Sequence, residues 1–238
     1  MLRVFCDFDG TVAQQDVGEY LFRTLLGAKA REIAKRYIDE EINAREWLAQ
    51  ECAAVETVTP QELERFIDEF AIDPQFPEFV QFCAAREIPV VVLSDGLDFY
   101  VERILKNHHL DHLPWYANHL EFVNHGKATK FVPSFPYRDE ECDRCGNCKR
   151  NHLLTISGDD DVLVYVGDGI SDRCPVRYAD IVFAKHSLVS YCQRQNISYY
   201  RYRTFGDVQA RLEALLAQKR VRQRREAAIA RRDVFMRG

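Results

Sequence analysis

The sequence predicts an α/β fold on a parallel sheet, with a helical segment inserted into it. Three features lead there. Ile88–Leu93 and Val162–Val166 are continuous apolar runs rich in β-branched residues, the mark of strands buried on both faces. Stretches with helical spacing alternate with these runs, which indicates a parallel α/β sheet. Between the first strand and the second, Asp16–Ala71 carries no strand signal and is too long for one crossover, so it reads as an inserted cap.

Taken in order, Leu2–Phe8 is a short buried strand ending in acidic residues. Ala28–Glu41 and Asn43–Ala54 space their apolar residues for helices. Thr59-Pro60-Gln61-Glu62 starts another helix, with Thr59 as N-cap, Pro60 in the first turn and Glu62 closing a capping box. Phe76–Arg86 is helical, Ile88–Leu93 is the second strand, and a helix runs from Leu97 to about Asn107. Pro114–Lys130 alternates as strands with a turn at Asn124-His125-Gly126. Asn147–Ser157 is helical, and Val162–Val166 and Ile181–Ala184 are further core strands. The expected division is a core of residues 1–15 and 72–215, a cap of 16–71 and a basic C-terminal helix of 216–238.

With 47% hydrophobic and 29% charged residues, the 238-residue chain can bury a full core. That excludes a disordered chain, a collagen-like fibre and a small disulfide scaffold. No apolar stretch approaches the roughly 20 residues that span a bilayer. The N-terminus lacks the pattern of a secretory signal, so a cytoplasmic location with reduced thiols is expected for the eight cysteines. The net charge of −5 is uneven: residues 219–238 hold eight Lys/Arg against two Asp/Glu. Such a tail can touch nucleic acid, but its helix formers and scattered charge favour a solvated terminal helix, and a nucleic-acid partner is not expected.

Polar residues gather where the core strands end. Asp7-Phe8-Asp9-Gly10-Thr11 places two carboxylates two apart, on one side of a strand, where they repel unless a cation or a shared proton intervenes. Ser94-Asp95-Gly96 offers a hydroxyl and loop amides suited to phosphate oxygens. Lys149 enters a helix from a loop, and Gly167-Asp168-Gly169-Ile170-Ser171-Asp172 adds two carboxylates. Strand carboxyl ends line the ligand crevice of an open parallel sheet. Carboxylates with a backbone oxygen suit Mg²⁺; a lysine, a hydroxyl and amides suit a phosphate. Together they describe phosphoryl transfer to a carboxylate.

Asp7-Phe8-Asp9-Gly10-Thr11-Val12, Ser94, Lys149 and Gly167-Asp168-Gly169-x-x-Asp172 resemble the four motifs of the haloacid-dehalogenase superfamily, over about Met1–Cys192. The resemblance implies a Rossmann-like core with a helical C1-type cap. It implies Asp7 as nucleophile and Asp9 as general acid and then base. It also implies Thr11, Ser94, Asp95, Gly96 and Lys149 on the phosphoryl side. Asp7, the Asp9 carbonyl, Asp168 and Asp172 are implied around Mg²⁺, and a small phosphorylated metabolite as substrate.

Three branches of the superfamily are similar. Phosphoserine phosphatases carry Glu nine residues after the nucleophile, where this chain has Asp16. The enol-phosphate phosphatases of methionine salvage, which act on 2-hydroxy-3-keto-5-methylthiopentenyl-1-phosphate, are similar at Leu97–Val101, Tyr116–His119, Cys145–Lys149, Phe183–Lys185 and Cys192–Asn196. Phosphoethanolamine/phosphocholine phosphatases are similar at Tyr165–Gly169 and Asp172–Pro175. The second resembles the chain at the most places.

Cys142-x-x-Cys145-x-x-Cys148 precedes Lys149. Three thiols at this spacing can ligate a structural Zn²⁺ if His152, His125 or Cys174 supplies a fourth ligand; otherwise they form a reduced, thiol-rich turn.

Overall fold

The computed structural model describes residues 1–56, 58–125, 128–218 and 221–237. Among them seven strands form one sheet: β1 (Leu2–Asp7), β2 (Val90–Leu97), β3 (Trp115–His125), β4 (Ala128–Ser134), β5 (Val162–Gly167), β6 (Ile181–Ala184) and β7 (Tyr200–Arg201). The order is β4-β3-β2-β1-β5-β6-β7. β1 pairs in parallel with β2 and β5, β5 with β6, and β6 with β7; β3 and β4 are antiparallel. β4 forms the sheet edge and tolerates Pro133, which a central strand would not. Gly126 of the expected turn lies outside the described residues, while Asn124 and His125 still belong to β3.

The central strands form because both of their faces are covered. Val4–Cys6, Val90–Leu93 and Leu163–Val166 are all buried. Burial of each large apolar side chain stabilises the sheet by about 1.5–3 kcal/mol. The register matters most for function. Asp7 sits opposite Leu93, Cys6 opposite Val166 and Gly167 opposite Ala184. β1, β5 and β6 therefore finish level while β2 runs on to Leu97, and the residues next in sequence leave β1, β5 and β6 at their carboxyl ends.

The chain packs as two compact units. One comprises Ala13–Ala71 and Ser94–Cys148. It holds α1 (Val17–Leu26), α2 (Ala28–Ile38), α3 (Ala44–Ala54) and α4 (Pro60–Ile67), with α6 (Asp98–Asn107) and the β3–β4 pair. Capping boxes start two of these helices. Asn43 and Glu46 exchange bonds of 3.0 and 2.9 Å, and Thr59 and Glu62 bonds of 3.2 and 2.9 Å. The unit reaches beyond residues 16–71 because α3 packs on β4 and the Ala44 N–H donates to the Arg144 carbonyl at 3.1 Å. Glu51, on α3, is only 2% exposed, and its Oε2 has no hydrogen-bond partner. Burial, with smaller contributions from Asp16 and Glu19, pushes its carboxyl up to about 8; the nearby Trp47 indole opposes the rise.

The other unit comprises Met1–Val12, Ile72–Leu93 and Lys149–Gly238. Its helices are α5 (Phe76–Ala84), α7 (Lys149–Ile156), α8 (His186–Arg194), α9 (Phe205–Leu216) and α10 (Arg225–Arg237). The basic tail departs from the solvated helix expected of it. Ala227 is fully buried, and Arg231 pairs with the buried carboxylate of Asp180 at 3.1 and 3.2 Å. Arg224 donates its N–H to the same carboxylate at 2.9 Å and its guanidinium to the Val176 and Arg177 carbonyls. The tail's charge is partly spent on docking, because Asp180 and the open carbonyls of that turn need donors. Among the described residues no helix is long and apolar enough to cross a membrane.

Candidate active site

After Asp7 the chain makes a wide helical turn, Phe8–Val12, broken at Asp9 (ψ 122°) and Gly10 (φ 71°). Only glycine suits the latter position. Its φ is left-handed, and a Cβ there would meet Asp168 Oδ2 at 2.7 Å. The turn brings Thr11 under Asp168, hydroxyl to carboxylate at 3.4 Å.

Asp7, Asp168 and Asp172 converge, each offering a carboxylate oxygen within 4.8 Å of the others. Lys149, the first residue of α7, reaches into the group. Its ammonium donates to Asp7, to Asp172 at 2.8 Å and to Ser171 Oγ at 2.8 Å. Burial opposes the charge on Lys149, but Asp172 and Asp7 outweigh it and hold the ammonium above the ordinary lysine range. Asp172 is fully saturated. One of its oxygens takes Lys149 and the Tyr165 hydroxyl (2.6 Å), the other the N–H groups of Asp168 and Gly169 at 2.8 and 3.0 Å. It thereby locks the loop that carries Asp168.

Charge in the cluster is unbalanced. Burial first, then Asp172 and Asp168, push the Asp7 carboxyl well above the usual range, and Lys149 only partly offsets them. An all-oxygen donor set short of positive charge fits a hard divalent cation at Asp7 and Asp168, with Asp172, whose oxygens are already taken, beside them. The carboxylate of Asp9 is outside this trio and half-buried on the turn.

The other expected residues divide between the site and its supports. Ser94 is fully buried one residue beyond Leu93, and its hydroxyl accepts the Gly96 N–H at 3.0 Å. Asp95 is not free for a phosphate, because its carboxylate accepts the N–H groups of Gly146 and Asn147 at 3.1 and 2.8 Å. Asp16 is exposed and caps α1, accepting the Glu19 N–H at 2.8 Å. The zinc expectation is not supported. Among the described residues the carboxylate trio alone groups as a metal-capable set, and Cys142, Cys145 and Cys148 do not. Hydrogen bonds hold their loop instead.

Four residues near the trio were given no role by the sequence reading. Tyr165 buttresses Asp172, and His186 places Nδ1 3.1 Å from Asp168 Oδ2. Tyr202 donates its hydroxyl toward Thr11 and the Gly167 carbonyl, while the half-buried Lys185 ammonium lies 5.0 Å from its ring centre. Lys185 and His186 come directly after β6, so the rule that located the other strand-end residues would have found them.

With this geometry in view, comparison with known proteins decides the family. The family model for haloacid dehalogenase-like hydrolases matches residues 4–175. The chain belongs to that family. It is 31% identical to the 2-hydroxy-3-keto-5-methylthiopentenyl-1-phosphate phosphatase of Bacillus cereus (strain B4264), over 92% of this chain and 99% of that protein. It is 32% identical to the phosphatase of the same name from Bacillus thuringiensis (strain Al Hakam), again over 92% and 99%. Among solved structures, a phosphoserine phosphatase held as an analogue of its phospho-aspartyl intermediate shares the fold, with a TM-score of 0.66, 18% identity and coverage of 88% of this chain and 97% of that one. As a phosphatase of the haloacid dehalogenase-like family, the chain is a phosphomonoester hydrolase.

Proposed function

We propose that the chain is a Mg²⁺-dependent phosphatase that moves the phosphoryl group of a small metabolite first to Asp7 and then to water. The observation that carries this reading is the meeting of Asp7, Asp168 and Asp172 around the Lys149 ammonium. Mg²⁺, which Asp7, Asp168 and the Asp9 carbonyl would hold beside Asp172, would supply charge neutralisation for a dianionic substrate. A carboxylate approaching a phosphate meets strong repulsion, and Lys149 lowers it from a fixed position. Ser94 and Thr11 supply hydroxyls for the phosphoryl oxygens, and the Gly96 N–H orients the Ser94 hydroxyl.

In the first step an Asp7 oxygen bonds to phosphorus as the ester P–O bond breaks. Asp9 gives its proton to the departing alcohol. In the second step Asp9 takes a proton from water as the water oxygen bonds to phosphorus. The aspartyl-phosphate bond breaks, releasing inorganic phosphate and restoring the Asp7 carboxylate. A helical cap of the kind the family carries would limit the substrate to a small molecule.

The substrate best supported is 2-hydroxy-3-keto-5-methylthiopentenyl-1-phosphate, since both named relatives align over nearly their whole length. The test is a panel containing that enol phosphate, phosphoserine, phosphocholine and phosphoethanolamine, each with Mg²⁺ and with excess chelator. The enol phosphate is expected to show the highest kcat/KM, and chelator to abolish turnover. A higher value for another substrate would overturn the substrate assignment; full turnover in chelator would overturn the Mg²⁺ requirement.

A further inference from the structure

The loop before Lys149 is fastened to the end of β2. Asp95 Oδ1 accepts N–H groups from Gly146 and Asn147, which are 51 and 52 residues away in sequence, at 3.1 and 2.8 Å. The Asn147 side chain returns the link, donating to the Ser94 carbonyl at 2.8 Å and the Tyr116 carbonyl at 3.0 Å. Asn118 donates to the Asp95 carbonyl at 2.7 Å, and the Cys148 N–H donates to the Tyr137 carbonyl at 2.9 Å. Asn118 and Asn147 are both at most 1% exposed, so these bonds are made away from water. Gly146 fits only because it lacks a side chain: a Cβ would lie 2.8 Å from Asn118 and Phe135 atoms.

The two segments so joined are those that carry Ser94 and, two residues beyond Asn147, Lys149. A lysine has a flexible four-carbon stem, so its ammonium is placed only as well as its backbone. We infer that Asp95 and Asn147 are positioning residues: they clamp the Ser94 strand end to the loop that runs into Lys149, and so fix the backbone from which that lysine starts. The clamp gives the Cys145-Gly146-Asn147-Cys148 run a role that needs no metal. It also explains an acidic residue beside a phosphate site: the charge of Asp95 is directed at loop amides, where an ionised acceptor makes the stronger bonds. The inference rests on the phosphatase reading.

The test compares Asp95→Ala, Asp95→Asn and Asn147→Ala with wild type, using para-nitrophenyl phosphate with Mg²⁺. Hydrogen exchange of the peptide spanning residues 144–150 is monitored in parallel. Misplacement by about 1 Å costs up to roughly 10²-fold. Asp95→Ala is expected to lower kcat by about 10- to 100-fold and to speed exchange of that peptide, with β1 and β5 peptides unchanged. Asp95→Asn keeps an oxygen for both N–H groups and is expected to recover to within about threefold of wild type. Asn147→Ala leaves Asp95 in place and is expected to lose about tenfold, which keeps the inference testable if Asp95→Ala fails to fold. Wild-type kcat and exchange in Asp95→Ala, or in Asn147→Ala should the former not fold, would overturn the clamp. So would equal inactivity of Asp95→Ala and Asp95→Asn, which would make the charge itself a ligand contact. A wild type inactive on every phosphomonoester would overturn the phosphatase reading and take the clamp with it.

Discussion

Glu51→Gln should make the chain more stable in alkali while leaving its stability in acid nearly unchanged. The Glu51 carboxyl is 2% exposed, with an oxygen that finds no partner. Burial, aided by Asp16 and Glu19 and opposed by Trp47, raises it from an ordinary 4.5 to about 8. The folded chain therefore keeps this proton up to about pH 8, whereas the unfolded chain releases it near 4.5. Stability from the group is whole below the unfolded value and drains away as pH rises through the folded one. At about 1.4 kcal/mol per pH unit, the full loss is on the order of 5 kcal/mol. Glutamine has nearly the same shape and no proton to lose. Urea unfolding monitored by tryptophan fluorescence reads the effect, since Trp47 is on the same helix. With an m-value of about 2–3 kcal/mol/M, the variant's midpoint should exceed wild type by roughly 1 M or more at pH 8.5. At pH 4.5 the two should agree within about 0.3 M. Midpoints offset equally at both pH values would refute the reasoning.

The site and the docked tail yield further outcomes. Asp7→Asn should lose at least about 10³-fold in turnover of an aryl phosphate with its circular dichroism unchanged, because the amide is no nucleophile; normal turnover would refute the assignment. Asp9→Asn should release one equivalent of para-nitrophenol in a burst and then stall about 10²- to 10⁴-fold below wild type, since that leaving group needs no proton but the attacking water needs a base. A slow first turnover without a burst would contradict the role of Asp9. Arg231→Ala strips one partner from the buried Asp180 carboxylate, which keeps the Leu163 and Arg224 N–H groups. It should cost about 2 kcal/mol and lower Tm by about 4–8 °C, with kcat per folded molecule unchanged; an unchanged Tm would mean the tail contributes nothing by docking there.

How local each cause is decides whether the sequence reveals it or conceals it. β2 and β5 were legible because a strand buried on both faces writes a continuous apolar run. The start of α4 was legible because its cap is made within four residues, Thr59 to Glu62. Asp7 and Asp168 were legible because the first ends β1 and the second follows β5, strands whose ends are level. The loop bonds of Asp95 were concealed because its neighbour Ser94 suggested a phosphate, while the partners of its carboxylate lie far along the chain. Tyr165 was concealed because an aromatic residue in a buried strand looks like any core residue until its hydroxyl is seen on Asp172. β7, only two residues long, carries no period to detect. Glu51 runs against the ordinary exposure of charged residues on helices, and only packing shows it. The tail's charges suggested solvent or nucleic acid, because nothing near them in sequence announces Asp180.

The most direct test is to trap the covalent step. Wild-type chain mixed with para-nitrophenyl phosphate and Mg²⁺ is quenched in acid within the first turnovers, and borohydride reduction then converts any aspartyl-phosphate to homoserine. Peptide mass spectrometry is expected to place homoserine at position 7 alone, and to find none in Asp7→Asn or with chelator present. Homoserine at another carboxylate, or turnover at full rate with position 7 unmodified at every quench time, would contradict the mechanism.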